Sequence, residues 1–240
     1  MPDRTESRLV IVPGHGVCIA PTNPTADASW VGIFEREGEC YVKHAEQGVM
    51  IAGSDQSSLV VFSGGQTREA AGRRSEGSSY LEIAKAADWW GHPDLSSRAV
   101  AEEFARDSFE NLLFSLALFR KETERWPEML TVVGWKFKAK RFDLHRQALK
   151  WPKASFRYVG VNDPSGAALD AATSGEKIKT DAVTRDLFLT GSEWNSQREL
   201  RDPFQRGHPY RGVDPQLDPV FEYLDRFALN ASLPWIAPTP

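Results

Sequence analysis

The chain is poor in the features that mark secreted, membrane-spanning or metal-binding proteins. Its 240 residues contain only two cysteines, Cys18 and Cys40, whose spacing fits neither a metal site nor a disulfide framework. The N-terminal segment is polar, and no apolar run is long enough to span a bilayer. We therefore expect a cytoplasmic protein with no cofactor, no metal and no membrane association.

Two well-known active-site signatures are also missing. The glycine turn at 13–16 lacks the third glycine of the dinucleotide fingerprint, and Ser63 does not lie in a Gly-x-Ser-x-Gly elbow. What remains is ordinary for a globular protein, with 41% hydrophobic and 26% charged residues. The function must therefore be inferred from individual turns.

Five short apolar segments rich in β-branched residues predict buried strands, separated by helical patterns. They lie at 9–12, 59–63, 99–103, 130–134 and 156–161. This alternation predicts an α/β protein: a Rossmann-like, doubly wound, mostly parallel five-stranded sheet with helices on both faces. We expect a single domain over 1–240, with its core at about 8–165 and a C-terminal helical and loop extension at 166–240. Ligands of such folds bind beyond the carboxyl ends of the strands.

The turn after the first predicted strand carries two glycines and a histidine. Gly14 and Gly16 would let the backbone approach an anionic ligand closely, so both are candidate substrate-binding residues. His15 is a candidate acid–base group because imidazole titrates near neutral pH. The alternative is that His15 occupies the turn without a chemical role.

The turn after the second predicted strand places a hydroxyl beside two glycines. Ser63, with the amides of Gly64 and Gly65, has the make-up of a nucleophile next to oxyanion donors. An ordinary tight turn would have the same sequence. Downstream, Ser75 and Glu76 are typical of a helix start, and we also consider Glu76 a candidate catalytic carboxylate.

The third turn gathers acids, a hydroxyl and an amide. Asp107 or Ser108 is a natural N-cap, and capping also accounts for Glu110. Capping does not account for Glu103, which we expect at the end of a buried strand and assign as a candidate catalytic base. Ser108 and Asn111 are candidate substrate-binding residues.

The fourth turn and the helix after it are strongly basic, with eight cations against one acid between positions 136 and 157. Such a run favours a phosphate-rich partner, although a solvated helix face is the alternative. Aromatic residues interleaved with the cations could stack bases. The candidate substrate-binding residues here are Trp135, Lys138 and Arg141. The candidate nucleic-acid-binding residues are Lys136, Lys140, Arg146, Lys150 and Lys153.

Together these turns resemble the DUF218 family, also described as YdcF-like. The resemblance rests on the turns at 13–16 and 63–65, the helix start at 75–76, the block at 103–111 and the basic turn that ends in Arg141. It spans roughly 8–160, and the loop at 195–212 is similar to that of fungal members. The resemblance implies a Rossmann-like fold, a ligand site built from these turns, and the S-adenosylmethionine binding associated with bacterial relatives.

The fourth turn departs from that family pattern. Members often carry a small hydroxyl residue and a histidine there, whereas this chain has Gly134, Trp135 and Lys138. The resemblance therefore assigns the role of that histidine to no residue of this turn.

A second resemblance is to the small fungal enzymes that make arginine-containing cyclodipeptides from aminoacyl-tRNA. It implies a nucleophile or base, oxyanion donors, a carboxylate for the arginine guanidinium and a basic surface for tRNA. Ser63, Glu76 and Glu103, with the cations of 136–157, would fill these roles.

Three functions remain open from the sequence. The first is a group-transfer enzyme that acts on a nucleotide-linked substrate, most concretely aminoacyl-tRNA. The second is a DUF218-type enzyme that binds S-adenosylmethionine or another nucleotide-containing small molecule. The third is a non-catalytic ligand-binding protein. We favour the first.

Overall fold

The computed structural model describes residues 4–223 and 233–236, and five of the seven strands in these residues lie at the five predicted segments. The strands are β1 (Arg8–Pro13), β2 (Val17–Cys18), β3 (Trp30–Val31), β4 (Ser58–Ser63), β5 (Ala99–Glu102), β6 (Met129–Gly134) and β7 (Phe156–Gly160). The α-helices are α1 (Glu37–Gly53), α2 (Glu76–Ala86), α3 (Ser108–Thr123), α4 (Ala139–Ala148), α5 (Ala167–Arg185), α6 (Ser192–Leu200) and α7 (Asp218–Tyr223).

Five strands form a parallel sheet in the order β5-β4-β1-β6-β7. The chain therefore runs outward from β1 to β5, returns to the other side of β1 as β6, and continues to β7. This order confirms the predicted Rossmann-like, doubly wound fold. The direction of winding reverses between β1 and β6, which is where open α/β sheets form a crevice beyond the strand ends.

Both faces of the sheet are buried, and the central strand shows why. Leu9 and Ile11 face the cluster that contains α3 and α4, whereas Val10 and Val12 face the cluster that contains α1 and α2. Successive side chains of a strand point to opposite faces, so a strand covered on both sides must be apolar at every position.

A small antiparallel hairpin, β2–β3, interrupts the connection between β1 and α1. The backbone amide of Cys18 donates to Ser79 Oγ at 3.1 Å, which ties the hairpin to α2, one of the helices that cover the sheet. A Cβ at Gly16 would lie 2.5 Å from Ile33, so glycine is needed for the hairpin to fold back this closely. The hairpin thus stands over the carboxyl edge of the sheet.

The C-terminal extension is bound to the same edge by buried polar contacts. Arg198 Nε donates to Asp107 Oδ2 at 2.6 Å, and the Tyr210 hydroxyl donates to Glu102 Oε1 at 3.0 Å. The spacing of Val220, Phe221, Leu224 and Phe227 predicts a helix at 216–228. Its described part is α7, with Val220 and Phe221 buried. The predicted apolar positions Leu224 and Phe227 lie outside the described residues.

Candidate functional site

A cavity of about 230 Å³ lies at the carboxyl edge of the sheet, at the crevice between β1 and β6. Its floor is the turn after β1 and the turn after β6. The hairpin connection and α1 form one side, the start of α3 another, and α5 and α6 close the remaining wall. This is the position at which a doubly wound fold is expected to hold its ligand.

Cations outnumber acids in the cavity wall. The wall contains six cations, which are Arg68, Arg106, Lys138, Arg141, Lys179 and Arg201. It contains three acids, which are Glu37, Glu76 and Asp107. The whole chain carries a formal charge of −4, so this excess of positive charge is local. A concave site with one dominant sign of charge concentrates ligands of the opposite sign.

Four of these cations lie close enough to repel one another. Lys138 and Arg141 come from the turn after β6 and the first turn of α4, Lys179 comes from α5, and Arg201 follows α6. Burial and the neighbouring Arg141 lower the pKa of Lys138 to about 7. Burial and the same guanidinium also lower the pKa of Lys179. Like charges held together in this way favour a bound anion that would neutralise them.

The acids in the described residues only partly compensate this cluster. Arg141 forms an ion pair with Glu176 at 3.0 Å, but its Nε atom is buried and has no hydrogen-bond partner in the described part of the chain. Arg201 donates from Nη1 to the carbonyl of Arg106 at 2.9 Å. A polyanion could satisfy the remaining donors.

His15 lies on the cavity floor beside Lys138. Its Nδ1 atom is 3.2 Å from Lys138 Nζ, and its buried Nε2 atom has no partner among the described residues. The ring packs against Trp135 and Tyr41, with centroids 6.3 and 5.2 Å away. Burial, reinforced by Lys138 and His44, lowers its pKa well below the usual value, so the imidazole is neutral. The structure thus brings together His15, Trp135 and Lys138, which were assigned to the site from the sequence.

Glu76 faces the cavity from the first turn of α2. Ser75 is the N-cap, as predicted, and accepts a hydrogen bond from the amide of Ser78 at 2.8 Å. The Glu76 carboxylate accepts a hydrogen bond from the Thr67 hydroxyl, and burial raises its pKa. A Cβ at Gly14 would lie 2.6 Å from Glu76 Cβ, so the glycine allows this side chain to cross the turn after β1.

Ser63 lies beneath the cavity and does not line it. Its fully buried Oγ atom is 2.8 Å from both Glu102 Oε2 and Asn111 Oδ1. One hydroxyl proton serves only one of these two oxygens, so a proton on Glu102 would satisfy the second contact. Burial does raise the pKa of Glu102, to about 7. The hydroxyl predicted to be a nucleophile is therefore engaged in a closed polar cluster.

The predicted oxyanion donors are also engaged. The amide of Gly64 donates to the carbonyl of Glu102 at 2.9 Å, and the amide of Gly65 donates to the carbonyl of Ala105 at 2.7 Å. Neither glycine lines the cavity, and neither does Gly16. These glycines shape the turns instead of presenting free amides.

The expectation that Glu103 ends a buried strand is wrong by one residue. Strand β5 ends at Glu102, which is fully buried, whereas Glu103 is half-buried and accepts a hydrogen bond from the Ser75 hydroxyl at 2.8 Å. Glu103 does not line the cavity. Two adjacent acids close the strand, and alternation alone does not reveal which of them points inward.

The start of α3 contributes two of its predicted residues to the cavity wall, Ser108 and Asn111. Asp107 is the N-cap and accepts hydrogen bonds from the amides of Phe109 and Glu110. The Ser108 hydroxyl lies 2.8 Å from His145 Nε2 of α4. Asn111 is partly committed to Ser63.

The basic run after β6 divides into two groups. Lys138 and Arg141 face the cavity, together with Trp135. Of the residues predicted to bind nucleic acid, Lys136, Lys140 and Lys150 are exposed, whereas Arg146 and Lys153 both pair with Asp143, at 2.8 and 3.0 Å. The run therefore contains both cavity-lining and solvent-exposed cations, and its binding of a nucleic acid stays a prediction.

The C-terminal extension supplies one wall of the cavity, and the sequence did not predict it. Lys179, Gln197 and Arg201 line the cavity, and Trp194 and Leu189 support it. These residues come after the sheet is complete, where no strand end marks a site. The charge density of the 198–211 segment was the one available signal.

No metal site or membrane segment emerges from the described residues. Residues 4–223 and 233–236 contain no group of three or more His, Cys, Asp and Glu side chains placed to hold a metal ion. Within the same residues no helix is long and apolar enough to cross a membrane.

Comparison with known proteins gives a distant relative. The chain is 26% identical to the uncharacterized protein YOR238W of Saccharomyces cerevisiae, and the alignment covers 84% of this chain and 86% of the yeast protein. No family model matches the chain. No solved structure matches it either. The resemblances to the DUF218 family and to the fungal cyclodipeptide enzymes therefore stay predictions.

Proposed function

We propose that this protein is a group-transfer enzyme that holds the anionic part of a nucleotide-linked substrate in the cavity between β1 and β6. The observation that carries the proposal is the convergence of Lys138, Arg141, Lys179 and Arg201 on one small cavity, where Glu176 is the only acid that forms an ion pair with any of them among the described residues. Guanidinium groups bind phosphate through paired hydrogen bonds, and lysine adds a point charge.

The other cavity residues suit transfer chemistry beside that anion. The Nε2 atom of His15 has no partner in the described structure, and it can donate a hydrogen bond to a ligand oxygen while Nδ1 faces Lys138. Glu76, whose pKa burial raises, can exchange a proton with a reacting group. Trp135 and Phe34 provide apolar surface for the remainder of the ligand.

In its most concrete form, the proposed substrate is aminoacyl-tRNA and the product an arginine-containing cyclodipeptide. The exposed Lys136 and Lys140 flank Lys138 in sequence, which supports binding of a polyanion outside the cavity. An engineered cavity of about 150 Å³ holds benzene, so a cavity of about 230 Å³ admits only the end of a larger substrate.

The alternative is a small-ligand enzyme of the DUF218 type, and the small size of the cavity favours it over a polymer-binding enzyme. S-adenosylmethionine, however, carries one carboxylate and no phosphate. Four converging cations are more than that ligand needs, so a phosphorylated nucleotide is the better fit to this site.

The test is binding of bulk aminoacylated tRNA and of ATP, each measured by fluorescence anisotropy as a function of salt. We expect Arg141→Gln combined with Arg201→Gln to weaken both ligands at least tenfold. Lys136→Ala combined with Lys140→Ala should weaken tRNA alone and lower its salt slope by about two, because each phosphate contact contributes roughly one.

Lys85→Ala combined with Lys121→Ala is the matched control, because both lysines are exposed near the ends of α2 and α3 and lie outside the cavity. The control should bind like the wild type. Binding of ATP but not tRNA would favour the small-ligand enzyme. Absence of binding by either ligand at low salt would refute the anion site.

A further inference from the structure

The surroundings of Lys138 disfavour the protonated form of its side chain. Among the described residues no carboxylate forms an ion pair with it, and it contacts His15 instead. The charged and titratable groups that face it are Arg141 of α4, Glu176 and Lys179 of α5, Arg201 after α6, His15 after β1, His44 of α1 and Glu76 of α2. Arg141, Lys179 and Arg201 are cations and both histidines are neutral, so burial and repulsion together outweigh the attraction of Glu176 and Glu76.

The contact with His15 leaves the amine free to accept a proton. An uncharged Lys138 amine can donate one N–H to Nδ1 of His15 across the 3.2 Å contact and keep its lone pair for the cavity. A protonated Lys138 would make the same hydrogen bond. Proton uptake therefore requires no rearrangement of either side chain.

We propose that Lys138 is the proton acceptor of this site, positioned by His15 to take the proton that an attacking hydroxyl or amine must lose. The proposal rests on the proposed function. Its neighbours Arg141 and Arg201 keep their charge at any physiological pH and bind the anion, whereas lysine is the cation that can lose its proton.

The proton and electron balance of this role is simple. The nucleophile forms a bond to the transferred group and passes its proton to Lys138 Nζ. The bond from that group to the leaving oxygen breaks, the oxygen keeps the electron pair, and it then receives the proton from the new ammonium. Lys138 is thereby uncharged again at the end of the cycle. The bound anion stabilises the ammonium that forms during the transfer.

The first test is competitive acetylation of native protein with acetic anhydride between pH 6 and 10, followed by peptide mass spectrometry. An uncharged amine reacts, so the pH dependence of labelling reports the protonation of each lysine. We expect Lys138 to reach half of its maximal labelling near pH 7. The exposed Lys136 and Lys140, labelled in the same samples, are the internal comparison.

The Arg201→Gln variant tests whether neighbouring cations lower the pKa of Lys138. Arg201→Gln removes one repelling charge and should move the Lys138 midpoint to higher pH without moving those of Lys136 and Lys140. A Lys138 that titrates together with its two neighbours overturns the proposal. So does a Lys138 that is labelled only after unfolding, because an inaccessible amine has no access to substrate.

The second test measures proton uptake when inorganic pyrophosphate binds at pH 8, by calorimetry in two buffers of different ionisation heat. A base that takes the nucleophile's proton must still be uncharged in the complex, so wild type should take up no more protons per bound anion than Lys138→Arg does. Uptake of about one additional proton by wild type overturns the role of Lys138, because the bound anion would then have protonated the base before the reaction. Failure of pyrophosphate to bind would instead count against the proposed function, while the labelling result still decides the state of Lys138.

Discussion

Arg198 donates a hydrogen bond from Nε to Oδ2 of Asp107 at 2.6 Å, and both side chains are buried. The pair joins α6 to the N-cap of α3 across 91 positions of sequence. Arg198 Nε also lies 3.3 Å from Glu110, which in turn holds Arg106 at 2.7 Å. This buried ion network fixes the wall of the cavity to the edge of the sheet.

Replacing Arg198 should therefore be costly. Arg198→Leu leaves Asp107 buried without its counter-ion, and we expect a loss of about 3–5 kcal/mol in the free energy of unfolding, measured with urea. Lys177→Ala is the control, because Lys177 pairs with Asp181 at 3.2 Å on an exposed helix face and should cost less than about 1 kcal/mol. Equal losses for both variants would contradict the importance of the network.

Ser63→Ala separates a structural hydroxyl from a nucleophile. We expect a loss of about 1–3 kcal/mol in stability, since Glu102 and Asn111 lose a shared partner in a buried cluster. Pyrophosphate affinity should stay within twofold, because Ser63 does not line the cavity. Ser97→Ala, at an exposed position, is the control for stability. A folded Ser63→Ala protein that no longer binds the anion would show that Ser63 takes part in binding.

Two glycine-to-alanine substitutions should have opposite effects on thermal stability. At Gly14 a Cβ would lie 2.6 Å from Glu76 Cβ, so Gly14→Ala should destabilise by about 1–3 kcal/mol and displace Glu76. At Gly175, inside α5, a Cβ would have no heavy atom within 4 Å, and Gly175→Ala should stabilise by about 0.5–1 kcal/mol. Thermal unfolding of the two variants side by side checks both signs.

The buried histidines should make stability fall in mild acid. Burial lowers the pKa of His44 from 6.5 to about 4, so this group contributes fully above pH 6.5 and loses its contribution as the pH falls toward 4. The loss from His44 alone is about 3 kcal/mol. Urea unfolding at several pH values should show a shallower decline for His44→Gln than for wild type. Identical slopes would show that His44 is not buried in its neutral form.

The fold was predictable because the signal for it is local. The three central strands, β1, β4 and β6, are short runs made mostly of β-branched and aliphatic residues, and a strand that is buried on both faces needs no polar alternation. The position of the site followed from the strand ends. His15, Lys138 and Arg141 were found in this way because they directly follow β1 and β6.

The rest of the site depends on contacts that local sequence does not encode. Glu102 and Glu103 are adjacent acids, and only the register of β5 against β4 turns the first of them inward, opposite Ser63. Lys179 and Arg201 reach the cavity because the extension packs on the carboxyl edge. That packing depends on long-range pairs such as Arg198 with Asp107.

The residues that line the cavity lie far apart in the sequence, and this determines when the cavity is completed during synthesis of the chain. A ribosome synthesises the strands and the His15–Lys138 pair first, and Lys179 and Arg201 follow them in the sequence. Until residue 179 has been made, the nascent protein lacks two of the four converging cations. The cation cluster is therefore completed only after all five strands of the main sheet have been synthesised.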